Sequence, residues 1–277
     1  MCSNLCRGKT YGDSRVTRCA TIMRTTVVHL HLFKNAGTSV ERGLQSYFGE
    51  HWVSFDKPSS GGRISQAELV EFLHARPFVQ AVSSHHLRPP LEDRATMNWL
   101  PILFLRHPID RIRSAYEFER RQGSITPSSK AAASMQLVEW VQFHRERPSS
   151  TQCRNFQTFG LTSIRRETGR PIFRRPMKSH FDSACAFVKR LPAFGLVESF
   201  DQSWDWISDW ISGSYPNFKP DMGRANATTD ASDVLGERLE RMRAEMGQAA
   251  FDQLLVDNEV DLALYSWARE RAHAAWA

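Results

Sequence analysis

Two short segments of the 277-residue chain combine residue types that hold phosphate groups. The first is HLFKNAGTS, His31 to Ser39, which follows a β-rich run and leads into a helix-like segment. A helix N-terminus presents unpaired N–H groups and the positive end of the helix dipole, so it binds phosphate. Gly37 lets the backbone approach a ligand closely, the Thr38 and Ser39 hydroxyls can donate to phosphate oxygens, and Lys34 brings a point charge. Lys34, Asn35, Ala36, Gly37, Thr38 and Ser39 therefore form the candidate cofactor-binding loop. The order differs from the Walker A pattern GxxxxGK[ST], because Lys34 precedes Gly37. A capped helix after a buried strand would use the same glycine and hydroxyls, so the loop alone does not decide.

The second segment is RHPIDRIRSAY, Arg106 to Tyr116. Arg106 leaves a predicted strand at its carboxyl end, where open α/β sheets bind ligands. Its guanidinium can fork onto phosphate oxygens, and Ser114 on the following helix can add a hydroxyl contact. The structural alternative pairs Arg106 and Arg111 with Asp110 or Glu117. A third feature is the pair His85–His86 after the run VSS. Histidine is the side chain whose ordinary pKa suits proton removal near neutral pH. His29 reads as a packed histidine and His31 as a residue that orients the loop. His51, His74 and His144 fall in or beside helices. Glu41, just after the loop, is the next candidate base. Asp56 is the only acid at a strand end, and it lies far along the chain from the Arg-rich motif.

The elements that must position these residues alternate in type. Thr26–Leu32, Val53–Asp56, Phe78–Ser83, Trp99–Arg106 and Phe194–Glu198 read as strands. The fourth is nearly all apolar, as a strand covered on both faces should be. Helices are expected at about Thr38–Phe48, Gln66–Ala75, Ile109–Arg121 with Pro108 at its first turn, and Ala131–His144. An aromatic helix carries Trp204, Trp206 and Trp210, which read as core rather than a sugar platform. The last third is helical, around Val234–Met246, Ala249–Val256 and Val260–Ala274, after a loop over Gly213–Asp233. Strands alternating with helices predict a parallel sheet flanked by helices, an α/β fold with a phosphate-binding loop and a helical C-terminal part. Residues 1–25 show no periodicity and are expected to be a disordered extension. Residues 26–277 then form one domain.

Composition sets the outer limits. Hydrophobic residues make up 41% and aromatics 11% of the chain, too many for a disordered protein. No apolar run approaches the ~18 residues that span a bilayer. The net charge is +6, with six bases and one acid between Arg165 and Lys178 and ten acids against five bases from Asn226 onward. A basic middle suggests an anionic ligand, whereas +6 on this length is too weak to argue for nucleic acid. Five cysteines, with no CxxC pair and no zinc spacing, fit a reducing compartment. With no apolar signal segment in the first 25 residues, the expected location is cytoplasmic.

Taken together, the two phosphate segments resemble the nucleotide motifs of sulfotransferases that use 3′-phosphoadenosine 5′-phosphosulfate (PAPS). HLFKNAGTS is similar to the 5′-phosphosulfate loop, and RHPIDRIRSAY to the 3′-phosphate segment. The branch with the carbohydrate 2-O- and 6-O-sulfotransferases, whose loop reads H-x-P-K-x-A-G-T-S, is the nearest in pattern. TQCRNFQTFG, FGLVESFDQSWDWI and NEVDLALYSWA resemble later segments of that branch in the same order. Phe33 stands where the family has Pro, Asn35 where it has Thr, and His107 where Asp or Asn is common.

The resemblance implies specific roles. Lys34 would stabilise the leaving phosphate, Thr38 and Ser39 would hold the 5′ side, and Arg106 and Ser114 the 3′-phosphate. Asn226, in an Asn-Ala-Thr sequence within the long loop, matches the segment that closes over the nucleotide, although a polar loop turn would explain it equally. The family's catalytic histidine follows a Gly at the end of the third strand; Ser84–His85 sits in that register, so His85 is the expected base and His86 the second choice. No metal is required, because sulfuryl transfer does without the magnesium clamp of a triphosphate. The expected acceptor is a hydroxyl, on a saccharide or other anionic glycan. Two further function classes fit the motifs less well: a P-loop kinase using ATP and magnesium on a small molecule, and a non-enzymatic polyanion-binding protein.

Overall fold

The computed structural model describes residues 23–59, 61–93, 96–123, 125–163, 178–220 and 234–277. Its centre is a five-stranded parallel sheet in the order β2-β3-β1-β4-β5. The strands are β1 (Arg24–Leu30), β2 (Trp52–Ser54), β3 (Ala81–Ser84), β4 (Met97–Leu105) and β5 (Gly195–Leu196). β1 is the middle strand, pairing in parallel with β3 on one side and β4 on the other. The chain runs from β1 out to β2, returns to β3, and then crosses β1 to reach β4. The strand order therefore reverses at β1, and in doubly wound sheets ligands sit outside the carboxyl ends of the strands at such a reversal.

Side-chain alternation along the strands assigns the two faces. Val28 and Leu30 of β1 face a cluster with Leu69, Leu73, Phe187, Val188, Leu264 and Ala268. Those side chains come from helices α2 (Gln66–His74), α7 (Lys178–Arg190) and α11 (Glu259–Trp276). Val27, Ile102 and Phe104 face the other way, onto Val40, Leu44 and Phe48 of α1 (Gly37–Phe48) and Trp204, Ile207 and Ile211 of α8 (Phe200–Ser212). Both faces are covered, which is why β4 reads as one apolar run. A third cluster, around Ile109, Ile112, Tyr116, Trp140, Met242 and Phe251, joins five helices beside the sheet. These are α3 (Pro108–Gln122), α4 (Pro127–Ser134), α5 (Leu137–Arg145), α9 (Leu235–Met246) and α10 (Gln248–Asp257). A short helix, α6 (Phe156–Leu161), completes the set.

The predicted α/β class is the observed one, with several corrections of detail. β1 begins at Arg24, so the boundary expected at residue 26 falls two residues late. The helix expected over Ala131–His144 is two, because Met135 is extended and the Gln136 N–H donates to the Glu139 carboxylate to start a new helix. The fifth strand keeps only Gly195 and Leu196; Val197–Ser199 turn in a 3-10 helix. There Glu198 leaves the ladder to accept hydrogen bonds from the His107 amide at 2.7 Å and the Tyr265 hydroxyl at 2.9 Å. Helices α6 and α7 were not predicted. The proposed disorder of residues 1–22, the long loop from 221 to 233 with Asn226, and the basic run up to 177 lie outside the described residues. Among the described residues, no helix is long and apolar enough to cross a membrane.

Candidate functional site at the carboxyl edge of the sheet

The loop between β1 and α1 has an unusual backbone. Lys34 and Ala36 both adopt positive φ, 65° and 61°, which side chains with a Cβ rarely do. Tertiary bonds hold this conformation. Asn35 is buried and its Nδ2 donates to the Phe104 carbonyl at 2.8 Å and to Gln157 Oε1 at 2.7 Å. Gln157 in turn accepts from the Arg106 amide at 3.0 Å and donates to the Arg106 carbonyl at 2.8 Å. One amide side chain therefore clamps the loop to the end of β4. Ala36 is the N-cap of α1 and supplies no side-chain cap. The amides of Gly37 and Thr38 have no partner among the described residues. Thr38 is exposed and Ser39 half-buried, so both hydroxyls flank that open helix end.

Gly37 has a steric reason. A Cβ placed there would lie 1.9 Å from the His31 ring. The ring is fixed by the Glu41 carboxylate, 2.9 Å from Nδ1, and it packs against two further imidazoles, stacked on His29 and tilted against His85. Its centroid is 5.1 Å from that of His29 and 3.8 Å from that of His85. Burial, and then the neighbouring His31 and His85, push the His29 imidazole well below its ordinary pKa. His29, His31 and Glu41 bring three metal-type donor atoms within 4.8 Å of one another. Hydrogen bonds already engage them, however: His31 with Glu41, and His29 Nδ1 with Ser83 Oγ at 3.1 Å.

Arg106 lies at the same edge but is already engaged. Its Nε reaches Asp110 Oδ2 at 2.8 Å and its Nη1 donates to the Lys34 carbonyl at 3.1 Å. Asp110 also receives Arg238 of α9, with Nε 2.8 Å from Oδ1. Burial alone would raise the Asp110 carboxyl, and the Arg106 and Arg238 guanidiniums hold it below the usual range instead. Arg106 thus braces the loop and pairs with Asp110, as the pairing alternative expected. Arg111 does not pair with Glu117; it is fully buried, stacks 4.3 Å from the Phe156 ring centroid and donates to the Gln152 carbonyl. Ser114 is half-buried, and its hydroxyl has no partner among the described residues. The Lys34 ammonium rests 4.4 Å from the Phe118 ring centroid. Burial, followed by the charges of Arg106 and Arg121, lowers its pKa to about 8.

Asp56, which the sequence marks only as an acid at a strand end far from the Arg-rich motif, is brought by the structure to the histidine pair. β2 and β3 run parallel with Ser54 opposite Ser83, and the Phe55 amide donates to the Ser83 carbonyl at 2.9 Å. Asp56 therefore ends beside residues 84–86. Its Oδ1 accepts from Ser84 Oγ at 3.0 Å, from the His85 amide at 2.7 Å and from the His86 amide at 3.2 Å. Its Oδ2 lies 2.9 Å from His85 Nδ1. Burial would raise this carboxyl, but the His85 and Ser84 hydrogen bonds and the His85 charge hold it well below the usual carboxylate range. The available signal was that two neighbouring predicted strands end in Asp56 and in Ser84–His86.

The two histidines differ sharply. The His85 side chain is 41% exposed and that of His86 10%. His86 Nδ1 lies 3.2 Å from Asp56 Oδ1 and 3.1 Å from the Lys57 amide nitrogen. The amide has a proton that it must donate, and the ring can carry its own on Nε2, so Nδ1 accepts. His85 Nε2 has no partner among the described residues. Of the remaining candidates, Trp204 is buried core, and Trp206 packs on Phe194 and Trp276, as expected. The cysteines Cys153 and Cys185 are free thiols that burial pushes up to about 12 and about 11.

No family model matches the chain. A protein of Archaeoglobus fulgidus, described as uncharacterized, is 30% identical over 247 residues, spanning 87% of this chain and 95% of the relative. The match covers nearly the whole of both proteins, so the chain belongs to one family with this archaeal protein.

Proposed function

We propose that the protein is a PAPS-dependent sulfotransferase acting on a hydroxyl acceptor, with a saccharide or other anionic glycan as the acceptor class. The observation that carries this reading is the junction of His85 with the β1–α1 loop. The exposed imidazole lies tilted against His31, with ring centroids 3.8 Å apart, and the His31 ring lies against Gly37 at the open start of α1. A base and a phosphate cradle thus share one edge of the sheet. The sulfuryl donor supplies the chemistry: the acceptor oxygen bonds to sulfur as the bond from sulfur to the bridging phosphate oxygen breaks, and its electron pair stays on the phosphate.

The protein's own groups do the rest. The Gly37 and Thr38 amides, with the Thr38 and Ser39 hydroxyls, hold the 5′ phosphate; Asn35 and Ala36 set the loop that presents them. Arg106 and Ser114 hold the 3′-phosphate. Lys34 swings from Phe118 to the bridging oxygen, where charge develops during the transfer. The His85 Nε2 takes the acceptor proton. No metal enters these steps, and the protein works in the cytoplasm.

The test is turnover with PAPS and glycan acceptors in His85→Ala and His86→Ala, with affinity for the desulfated nucleotide as the folding control. His85→Ala should lose roughly a hundredfold or more in turnover with affinity intact, and His86→Ala much less. Near-normal turnover in His85→Ala would sink its role as base, and near-normal turnover in both variants would turn attention to Glu41.

A further inference from the structure

We infer that Asp56 is a positioning residue that fixes His85 in the tautomer with its proton on Nδ1 and its lone pair on Nε2. This inference rests on the sulfotransferase reading for its kinetic consequence, but its geometry stands apart from it. The two oxygens of Asp56 have different duties. Oδ1 collects three donors, the Ser84 hydroxyl and the His85 and His86 amides, at 2.7 to 3.2 Å. Among the described residues, Oδ2 faces only the His85 ring, 2.9 Å from Nδ1. A carboxylate can only accept, so Nδ1 must carry the proton. Nε2 is then the basic nitrogen, and it is the ring nitrogen without a partner among the described residues.

The division of duties makes one substitution informative. In Asp56→Asn, three donors converge at the Oδ1 position, and only the amide carbonyl can accept from them. The NH2 group is thereby forced to the Oδ2 position, where it donates to His85 Nδ1. The imidazole must respond by moving its proton to Nε2, which loses its lone pair. The turn around residues 84–86 keeps its bonds while the base is inverted. A misoriented tautomer is known to disable a histidine base even when the geometry survives. No such effect is expected at His86, whose Nδ1 already accepts from the Lys57 amide.

The experiment is nitrogen NMR of the His85 ring in the full chain, wild type and Asp56→Asn, paired with turnover and nucleotide affinity. The expected result is Nδ1 protonated in wild type and Nε2 protonated in the variant. Turnover should fall at least a hundredfold with nucleotide affinity unchanged. Asp56→Glu, which retains a carboxylate, should restore the wild-type tautomer and part of the turnover. The inference is overturned if His85 holds its proton on Nδ1 in Asp56→Asn. It is also overturned if the tautomer inverts and turnover stays within a few-fold of wild type. A wild-type chain that transfers no sulfuryl group contradicts the proposed function alone, and the NMR result then decides the role of Asp56 by itself.

Discussion

Lys34 is an ammonium held among like charges. Burial and the nearby Arg106 and Arg121 bring its pKa from 10.5 to about 8. Between those values the unfolded chain holds more protons than the folded one, so this group's cost to stability shrinks as pH rises from about 8 to 10.5. A phosphate arriving at the loop reverses the balance, because an opposite charge favours the protonated form. Nucleotide binding at pH 8.5 should therefore take up a fraction of a proton, measured by calorimetry in buffers of different ionisation enthalpy. Lys34→Met should abolish the uptake; uptake that persists would assign it elsewhere. Arg106 gives the second test at this scale. Arg106→Ala leaves Asp110 paired with Arg238, so the fold should survive. The variant should bind 3′-phosphoadenosine 5′-phosphate tenfold or more weakly, about 1.5–3 kcal/mol for a charge-assisted contact, and adenosine 5′-phosphate nearly normally. Equal loss for both ligands would make Arg106 a loop brace and no more.

At the scale of elements, contacts distant in sequence set the loop. Helix α6 starts where Asp261 of α11 accepts the amides of Gln157 at 2.9 Å and Thr158 at 2.8 Å. Asp261→Asn presents one of those buried N–H groups with another donor, at a cost of about 1–3 kcal/mol. Because α6 carries the Gln157 clamp on Asn35 and Arg106, nucleotide affinity should fall along with stability in urea unfolding. Loss of stability with unchanged affinity would show that α6 does not shape the loop. Gly37→Ala should likewise cost about 1–3 kcal/mol by overpacking against the His31 ring. In a His31→Ala background the same change should cost far less, and an undiminished cost would show that the ring is not the obstacle.

These long-range contacts also explain what the sequence did and did not reveal. The buried strands were readable from apolar runs such as WLPILFL, and the loop and Arg106 from local motifs. Asp56 was not, because its tie to His85 depends on the parallel register of β2 and β3, which no local pattern specifies. Helix α6 has six residues, and side chains about a hundred positions later define its start. The break at Met135 was legible in the capping glutamate Glu139, but the alanines before it hid the signal.

On the scale of the whole molecule, the crossing of the chain over β1 gathers Lys34, His85 and Arg106 at one edge of one sheet, although they lie far apart in sequence. On the sulfotransferase reading, this edge suits a 3′-phosphorylated adenine nucleotide and not a triphosphate with magnesium. Calorimetry of the wild-type chain with 3′-phosphoadenosine 5′-phosphate, against ATP with magnesium, tests it directly. The expected result is saturable binding of the former, at least tenfold tighter than the latter. Preference for ATP with magnesium would contradict it in favour of a kinase. Binding of neither nucleotide, with a steeply salt-dependent affinity for heparin, would contradict it in favour of a polyanion-binding protein.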